Sequence, residues 1–422
     1  MHIHFIGAGG IGVSALAKYY LKAGQKVSGS DLVSSEITDV LKKIGARIFI
    51  GKQKAQNLSK NTELVIYSPA VRPDNLEFKE AKRRGLKIQS YPEALGELTK
   101  NHFTIAISGT HGKSTTTAML GLLLEKAGFD PTVVVGTKVK QFGNDSVGSP
   151  QGSNYRPGKS KYLVIEACEH EESFLNYWPK IEVITNIEAD HLDYYKTLNN
   201  VIRGFDRFVG HLSKNGILII NKDDKNSKKI IKKKNQRTLL FSIKQPEANK
   251  LRKILKVPGE HNVYNALAAL MVAQSLKIPD NVSFKALSEY TGSWRRFDEK
   301  QIRIKNRKII LISDYGHHPT EIKATIAAAK EKYKKEKIWC VFQPHQYQRT
   351  YYLFNEFVKT FRKNKLDKII ITDIYDVAGR EDMKIRKKVS SEKLAEKVNK
   401  SNVEYVPERK LLAFLKNNAK NY

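Results

Sequence analysis

TIAISGTHGKSTTTAML, residues 104–120, passes from an apolar run through two glycines into a threonine-rich segment. Phe103 to Ile107 reads as a buried strand, and the apolar residues from Thr115 to Lys126 recur at helical spacing. Gly109-Thr110-His111-Gly112-Lys113-Ser114 is therefore a strand-to-helix turn. The usual phosphate loop places a glycine six residues before its lysine, where this chain has Ile107. The physics survives the altered spelling. Amides that open a helix have no intrahelical acceptor and lie at the positive end of the helix dipole, so they suit an anion. Lys113 adds a full charge, and the Ser114 hydroxyl is a candidate ligand for Mg²⁺. An ordinary glycine turn is the plainer alternative in so lysine-rich a chain. The Lys-Ser pair and the three threonines behind it favour phosphate binding.

Three further apolar runs follow, YLVIEA (162–167), IEVITN (181–186) and GILIIN (216–221), each closing on a polar residue, Glu166, Asn186 and Asn221. In a doubly wound parallel sheet the ligand crevice lies outside such carboxyl ends. Glu166 is thus placed to meet a magnesium ion held at Ser114. Asp190-His191-Leu192-Asp193 adds three metal-capable side chains just past the next strand, which makes His191 a candidate for a second metal or phosphate contact.

Upstream, HIHFIGAGGIGVSALAKYYLKAGQKVSGSD carries Gly7-x-Gly9-x-x-Gly12 between a strand and a helix, with a second strand ending at Asp31. This is the order of a dinucleotide-binding half-fold with its ribose-binding acid. A second unit, ELVIYSPAV, ends its strand at Ser68-Pro69-Ala70, and the pattern pauses at Gly96 to Asn101, read as a linker. Downstream, GSWRRF (292–297) opens a third piece with three expected parallel strands, KIILISDYG, KIWCVFQPH and KIIITDIYD, whose carboxyl ends carry Asp314, Gln343 with His345, and Asp373 with Asp376. His317 and His318 are adjacent on a loop without a third soft ligand at zinc spacing, so polar substrate contact is the better reading. The expected fold is α/β in three domains: a Rossmann-like domain at 1–98, a central P-loop ATPase-type domain at 99–291 and a C-terminal Rossmann-like domain at 292–422. Two glycine-loop nucleotide sites about 100 residues apart suit an enzyme that activates one nucleotide-tagged substrate with another nucleotide.

Composition bounds the function. A chain of 422 residues suggests two or three domains. Cys168 and Cys340 lie far apart and offer neither a disulfide framework nor metal spacing. The chain opens directly into a strand and contains no apolar run of about 20 residues, so a cytoplasmic protein without a membrane partner is expected. The net charge of +31 invites a nucleic-acid reading. Its excess, however, is mostly lysine scattered from Lys18 to Lys420, with modest clusters at 228–234 and 384–388. No arginine-rich stripe or aromatic platform accompanies it, so a solvated surface is favoured and no nucleic-acid partner is expected.

Read together, GAGGIGVSALA, GTHGKSTTT, EACE, TNIEADHLDYY, GEHNVYNALAA, GSWRRFD, DYGHHPTEI and QPHQYQRT resemble, in family order, the Mur ligases of peptidoglycan synthesis over nearly the whole chain. That family's loop is the shortened G-T-x-G-K-[ST] form, which accounts for Ile107. The resemblance implies an ATP- and Mg²⁺-dependent ligase. TNIEADHLDYY and DYGHHPTEI favour the branch that joins L-alanine to UDP-N-acetylmuramate through an acyl phosphate. It implies ATP phosphates on Gly109, Thr110, His111, Gly112, Lys113, Ser114 and Thr115, and magnesium at Ser114 and Glu166, with a second ion near His191. Asn262 and Asn265 are implied adenine-side contacts, and Arg295, Arg296 and Asp314 groups that close over the nucleotide. Gly9, Gly10 and Gly12 would hold the UDP diphosphate, with Asp31 and Ser68 on the uridine side. Tyr315, His317, His345 and Arg349 would line the amino-acid side.

Two departures stand out: EACEHE where some relatives read EADESD, and Gln346 where some carry arginine. Relatives also usually continue past the equivalent of Tyr422, so either an incomplete last βα unit or a truncated molecule is expected. The rival readings are a sibling ligase that recycles muramyl peptide, an NAD-dependent oxidoreductase using the first glycine motif alone, and a nucleic-acid-binding P-loop ATPase.

Overall fold

The computed structural model describes residues 1–143, 152–231, 236–304, 307–376 and 382–418; part of the basic cluster at 228–234 lies outside the described residues. The strands, in chain order, are β1 (His2–Ile6), β2 (Lys26–Asp31), β3 (Arg47–Ile50), β4 (Leu64–Tyr67), β5 (Lys87–Ser90), β6 (Phe103–Ser108), β7 (Thr132–Val139), β8 (Ser153–Arg156), β9 (Tyr162–Glu166), β10 (Ile181–Ile184), β11 (Ile217–Asn221), β12 (Arg237–Phe241), β13 (Asp298–Ile304), β14 (Arg307–Ser313), β15 (Trp339–Phe342), β16 (Lys368–Ile371) and β17 (Val403–Tyr405). They form a five-stranded sheet in order β3-β2-β1-β4-β5, a seven-stranded sheet β12-β11-β10-β6-β9-β7-β8, a hairpin β13-β14 and a three-stranded sheet β15-β16-β17. The first and last of these are parallel throughout. In the seven-stranded sheet only β8 runs antiparallel, as an edge strand on β7.

Central strands such as β6 and β10 are buried along nearly their whole length and mostly apolar, apart from Thr104, Ser108 and Glu182, as expected of strands covered on both faces. The helix Lys113–Lys126 is buried continuously from Ser114 to Leu124, which is why its residues show no polar face. It packs with the helix Glu260–Ser275 and the seven-stranded sheet into one large apolar core. Smaller cores underlie the five-stranded sheet and the three-stranded one. Among the described residues, no helix is long and apolar enough to cross a membrane.

Two sequence expectations are corrected. Gly96–Asn101, read as a linker, is the second half of the helix Tyr91–Asn101, which opens with a capping box between Ser90 and Glu93 and with Pro92 in its first turn. KIILISDYG does not join the C-terminal parallel sheet. It forms β14, antiparallel to β13 with Asp298 opposite Ser313, so Asp314 follows a hairpin strand rather than a strand of that sheet. The strand expected there by count is β17, short and half-buried, paired to β16 through Val403 and Ile369.

The contacts gather into two compact units: one of Met1–Glu188, Ile202–Val257 and Asn262–Ser313, the other of Ala189–Val201, Pro258–His261 and Asp314–Tyr422.

Candidate active site

In the first unit, β6 runs into a turn whose glycines are sterically required. Gly109 has φ 127° and Gly112 φ 82°. A β-carbon on Gly109 would stand 2.0 Å from Thr185 Oγ1, and one on Gly112 would stand 2.2 Å from Asn265 Oδ1. The segment after β10 pins the loop. Thr110 N donates to Asn186 O (2.9 Å), His111 N to Asn186 Oδ1 (3.0 Å), and Thr185 Oγ1 donates to His111 O (2.6 Å). Glu188 N donates to Thr110 Oγ1 at 2.9 Å. The helix opens at Gly112 without a side-chain cap, so its first-turn amides have no intrahelical or capping side-chain acceptor. Thr115, in that first turn, is buried with Ser114.

Two carboxylates from the end of β9 face the first two helical residues. Ser114 Oγ donates to Glu166 Oε1 (3.0 Å), and Gly136 N fixes the other oxygen of Glu166 at 2.7 Å. Lys113 Nζ donates to Gly109 O (2.6 Å), Thr110 O (3.1 Å) and Glu169 Oε1 (3.1 Å), and lies 2.8 Å from Glu169 Oε2. Burial alone would lower the Lys113 pKa, but the charge of Glu169, with Cys168 and Glu166 behind it, holds it above its ordinary value. Sequence reasoning singled out Glu166 and missed Glu169. The available signal was EACE itself, two carboxylates three residues apart just past an apolar strand. Cys168 between them is pushed up to about 12, chiefly by burial, and is no thiolate at neutral pH.

Asn265 is tied to the helix that follows the loop: Thr116 Oγ1 donates to its Oδ1 (3.3 Å), and its Nδ2 donates to Asn262 Oδ1 (3.3 Å). Arg295 and Arg296 sit in a turn closed by a Ser293–Arg296 bridge. The turn docks on β7, with Trp294 N donating to Lys138 O (2.8 Å) and Thr137 Oγ1 to Trp294 O (2.9 Å).

The other glycine turn is built from backbone. Gly9 N donates to Asp31 Oδ2 (2.8 Å) and Val33 N to Asp31 Oδ1 (3.3 Å), so the Asp31 carboxylate faces its own turn. A β-carbon on Gly12 would meet the Tyr91 ring at 2.7 Å, and one on Gly7 would stand 2.9 Å from Ser68 Cβ. Gly10 precedes the helix Ile11–Lys22, again without a side-chain cap. That helix is clasped by the edge strand β8: Asn154 Nδ2 donates to Ser14 Oγ (2.9 Å) and to the Ile11 carbonyl, and Lys18 Nζ donates to Ser153 Oγ (3.0 Å).

The second unit gathers the remaining sequence-selected residues. Arg349 Nε donates to Asp190 Oδ1 (3.0 Å), Nη2 to Asp190 Oδ2 (3.4 Å) and Nη1 to the His345 carbonyl (3.3 Å). His191, at φ 52°, turns its Nε2 towards Asp190 Oδ2 at 3.7 Å. The rings of Tyr315 and His317 lie 5.1 Å apart, Tyr315 and His345 5.9 Å, and His317 and His345 5.7 Å. Asp314 Oδ1 accepts from Gly316 N (2.7 Å) and stabilises this loop. Burial would raise Asp190, but the charge of Arg349 beside it holds it well below the usual carboxylate range. His317 is pushed down to about 3 by burial and then by Arg349, so its imidazole is neutral. Asp190, His191, Gln346, Arg349 and Tyr352 line a small pocket.

Three family models match consecutive stretches of the chain: Mur ligase family, catalytic domain, at residues 2–103; Mur ligase middle domain at 107–256; and Mur ligase, glutamate ligase domain, at 295–421. The UDP-N-acetylmuramate–L-alanine ligase of Clostridium tetani is 41% identical over 95% of this chain and 88% of its own length. That of Acetivibrio thermocellus is 38% identical over 99% and 91%. The crystal structure of a UDP-N-acetylmuramate-alanine ligase from Thermotoga maritima superposes with a TM-score of 0.77 at 27% identity, covering 98% of this chain and 92% of that one.

Proposed function

The chain belongs to the Mur ligase family, and we propose on that premise that it joins L-alanine to the lactyl carboxylate of UDP-N-acetylmuramate at the expense of ATP, in peptidoglycan precursor synthesis. The observation that carries the reading is the uncapped helix start at Gly112, where Lys113 stands beside Ser114, itself bonded to Glu166, at the carboxyl ends of the parallel strands β6 and β9.

A carboxylate resists attack by an amine. ATP converts it into an acyl phosphate, the alanine amine adds to the acyl carbon, and phosphate leaves from the tetrahedral adduct. The protein's work is placement and charge neutralisation. The first-turn amides after Gly112 and the Lys113 ammonium cradle the ATP phosphates, on a loop that Asn186 and Thr185 keep from moving. Ser114 and Glu166 are hard oxygen donors 3.0 Å apart; they suit magnesium and would hold it, where it supplies charge neutralisation for the transferring phosphoryl group. His191, in the second unit, is the proposed ligand for a second magnesium. Asn262 and Asn265 are assigned to the adenine side, and Arg295, Arg296 and Asp314 to closure over the nucleotide. Gly9, Gly10 and Gly12 are assigned to the UDP diphosphate side, with Asp31 and Ser68 at the uridine side. Arg349 is the cation for the alanine carboxylate, held in place by Asp190. His317, neutral at working pH, and His345 and Tyr315 are the polar surround of the incoming amine.

Phosphate release measured with ATP, UDP-N-acetylmuramate and each amino acid in turn tests this. Release that requires all three substrates and is fastest with L-alanine is expected. Equal release with a muramyl peptide would point to the recycling sibling.

A further inference from the structure

The ammonium of Lys113 has three protons and is held by three acceptor groups: the carbonyls of Gly109 and Thr110 and the carboxylate of Glu169. A lysine in that state can donate to a phosphate only by giving one partner up. The two carbonyls belong to the loop itself, which cannot follow a displacement: Thr110 is tied to Asn186, and Gly109 is walled by Thr185. Glu169 is on a different footing. It is 2% exposed, and the residues after it depart from regular backbone, with Glu171 at φ 48° and Glu172 at φ 56°. Two consecutive non-glycine residues in the left-handed region store strain, and such strain collects in segments that change conformation. The neighbouring hydroxyl follows the same plan, since Ser114 is bonded to Glu166 three residues earlier.

We propose that Glu169 is a positioning residue, an exchangeable counter-ion that holds Lys113 between turnovers, yields it to the nucleotide phosphates and takes it back when ADP leaves. The inference rests on the assignment of the Gly109–Thr115 loop to ATP phosphates. Its consequence runs against the usual effect of deleting an active-site contact. Because Glu169 competes with phosphate for one ammonium, weakening the pair strengthens nucleotide binding and slows nucleotide release.

The test is calorimetric affinity for ADP and ATP, with steady-state kinetics, on the full chain carrying Glu169→Gln or Glu169→Asp. Glutamine keeps the shape and removes the charge. Aspartate keeps the charge but draws it back from the ammonium, which separates pairing from simple repulsion. Glu169→Gln is expected to tighten ADP about tenfold, the scale of one charge-assisted hydrogen bond, to lower KM for ATP, and to lower kcat severalfold. Glu169→Asp is expected to shift all three in the same direction by less, and it supplies the answer if the glutamine variant does not fold. Weaker nucleotide binding in either folded variant, or unchanged binding in both, overturns the exchange. Lys113→Met measured alongside isolates the premise: if its nucleotide affinity equals that of the unaltered chain, the loop assignment fails. If that affinity drops while the Glu169 variants do not tighten, only the exchange fails.

Discussion

The two glycine turns of the first unit share a plan and differ in electrostatics. Each follows a buried parallel strand and opens a helix without a side-chain cap. At Gly7–Gly12 the carboxylate that faces the turn, Asp31, is satisfied by backbone amides, and the helix opens with Ile11, Gly12, Val13 and Ser14, none of them charged. At Gly109–Gly112 the helix opens with Lys113 and Ser114, each set against a carboxylate. A turn that holds a diphosphate unchanged through the reaction needs only fixed dipoles. A turn from which a phosphoryl group is transferred needs charge that can be redistributed as the transition state forms.

The sharpest way to break that contrast is Lys113→Ala. Turnover is expected to fall roughly a thousandfold or more while UDP-N-acetylmuramate affinity, measured by calorimetry, changes little. A collapse of both in a folded protein would mean that the turns do not serve separate nucleotides. Next is Glu166→Gln, expected to cost about 100-fold in kcat, on the order of 3 kcal/mol, with partial recovery at high magnesium. Full activity at low magnesium would remove Glu166 from the metal site.

The complementary change is Gly12→Ala, whose β-carbon would collide with Tyr91. It should raise KM for UDP-N-acetylmuramate about tenfold, the effect of losing roughly 1.4 kcal/mol of binding, and leave ATP affinity untouched. An equal loss for ATP would erase the distinction.

The smallest effect isolates both turns from the second unit. His317 stays neutral in the folded chain down to about 3, whereas an unfolded histidine takes up a proton below about 6.5. The unfolded state therefore gains protons as pH falls through that window, and stability is complete above about 6.5 and lost progressively towards 3. His317→Gln should make unfolding in urea less pH-sensitive, by about 1 kcal/mol between pH 7 and 5.5. An unchanged pH dependence would place the proton uptake elsewhere.

Much of this was legible in the sequence because glycine turns and strand ends are local features. Gly109, Gly112, Lys113, Ser114 and Glu166 fall within short segments whose periodicity announces them. What escaped depended on partners. β13 reads DEKQIRI, a charged stretch that becomes a strand only against β14, so β14 was assigned to the wrong sheet. The helix end at Gly96–Asn101 was misread although Ser90, Pro92 and Glu93 spelled its start. Glu169 was passed over because its meaning lies in Lys113, 56 residues earlier. The Asp31 carboxylate was expected to look towards a ribose, and its bond to Gly9 could not be read from spacing alone.

The clasp of Asn154 and Lys18 on the helix Ile11–Lys22 bears on how the molecule can be taken apart. The first glycine turn opens a helix that is bonded by β8, a strand of the seven-stranded sheet. Its order is thus borrowed from residues more than a hundred positions away. A fragment cut between the first two sheets for ligand screening would keep every glycine of that turn and lose the struts that hold the helix behind it. The first two sheets should accordingly melt as one cooperative block, and compounds selected on the isolated piece would be selected against a softer surface than the enzyme presents.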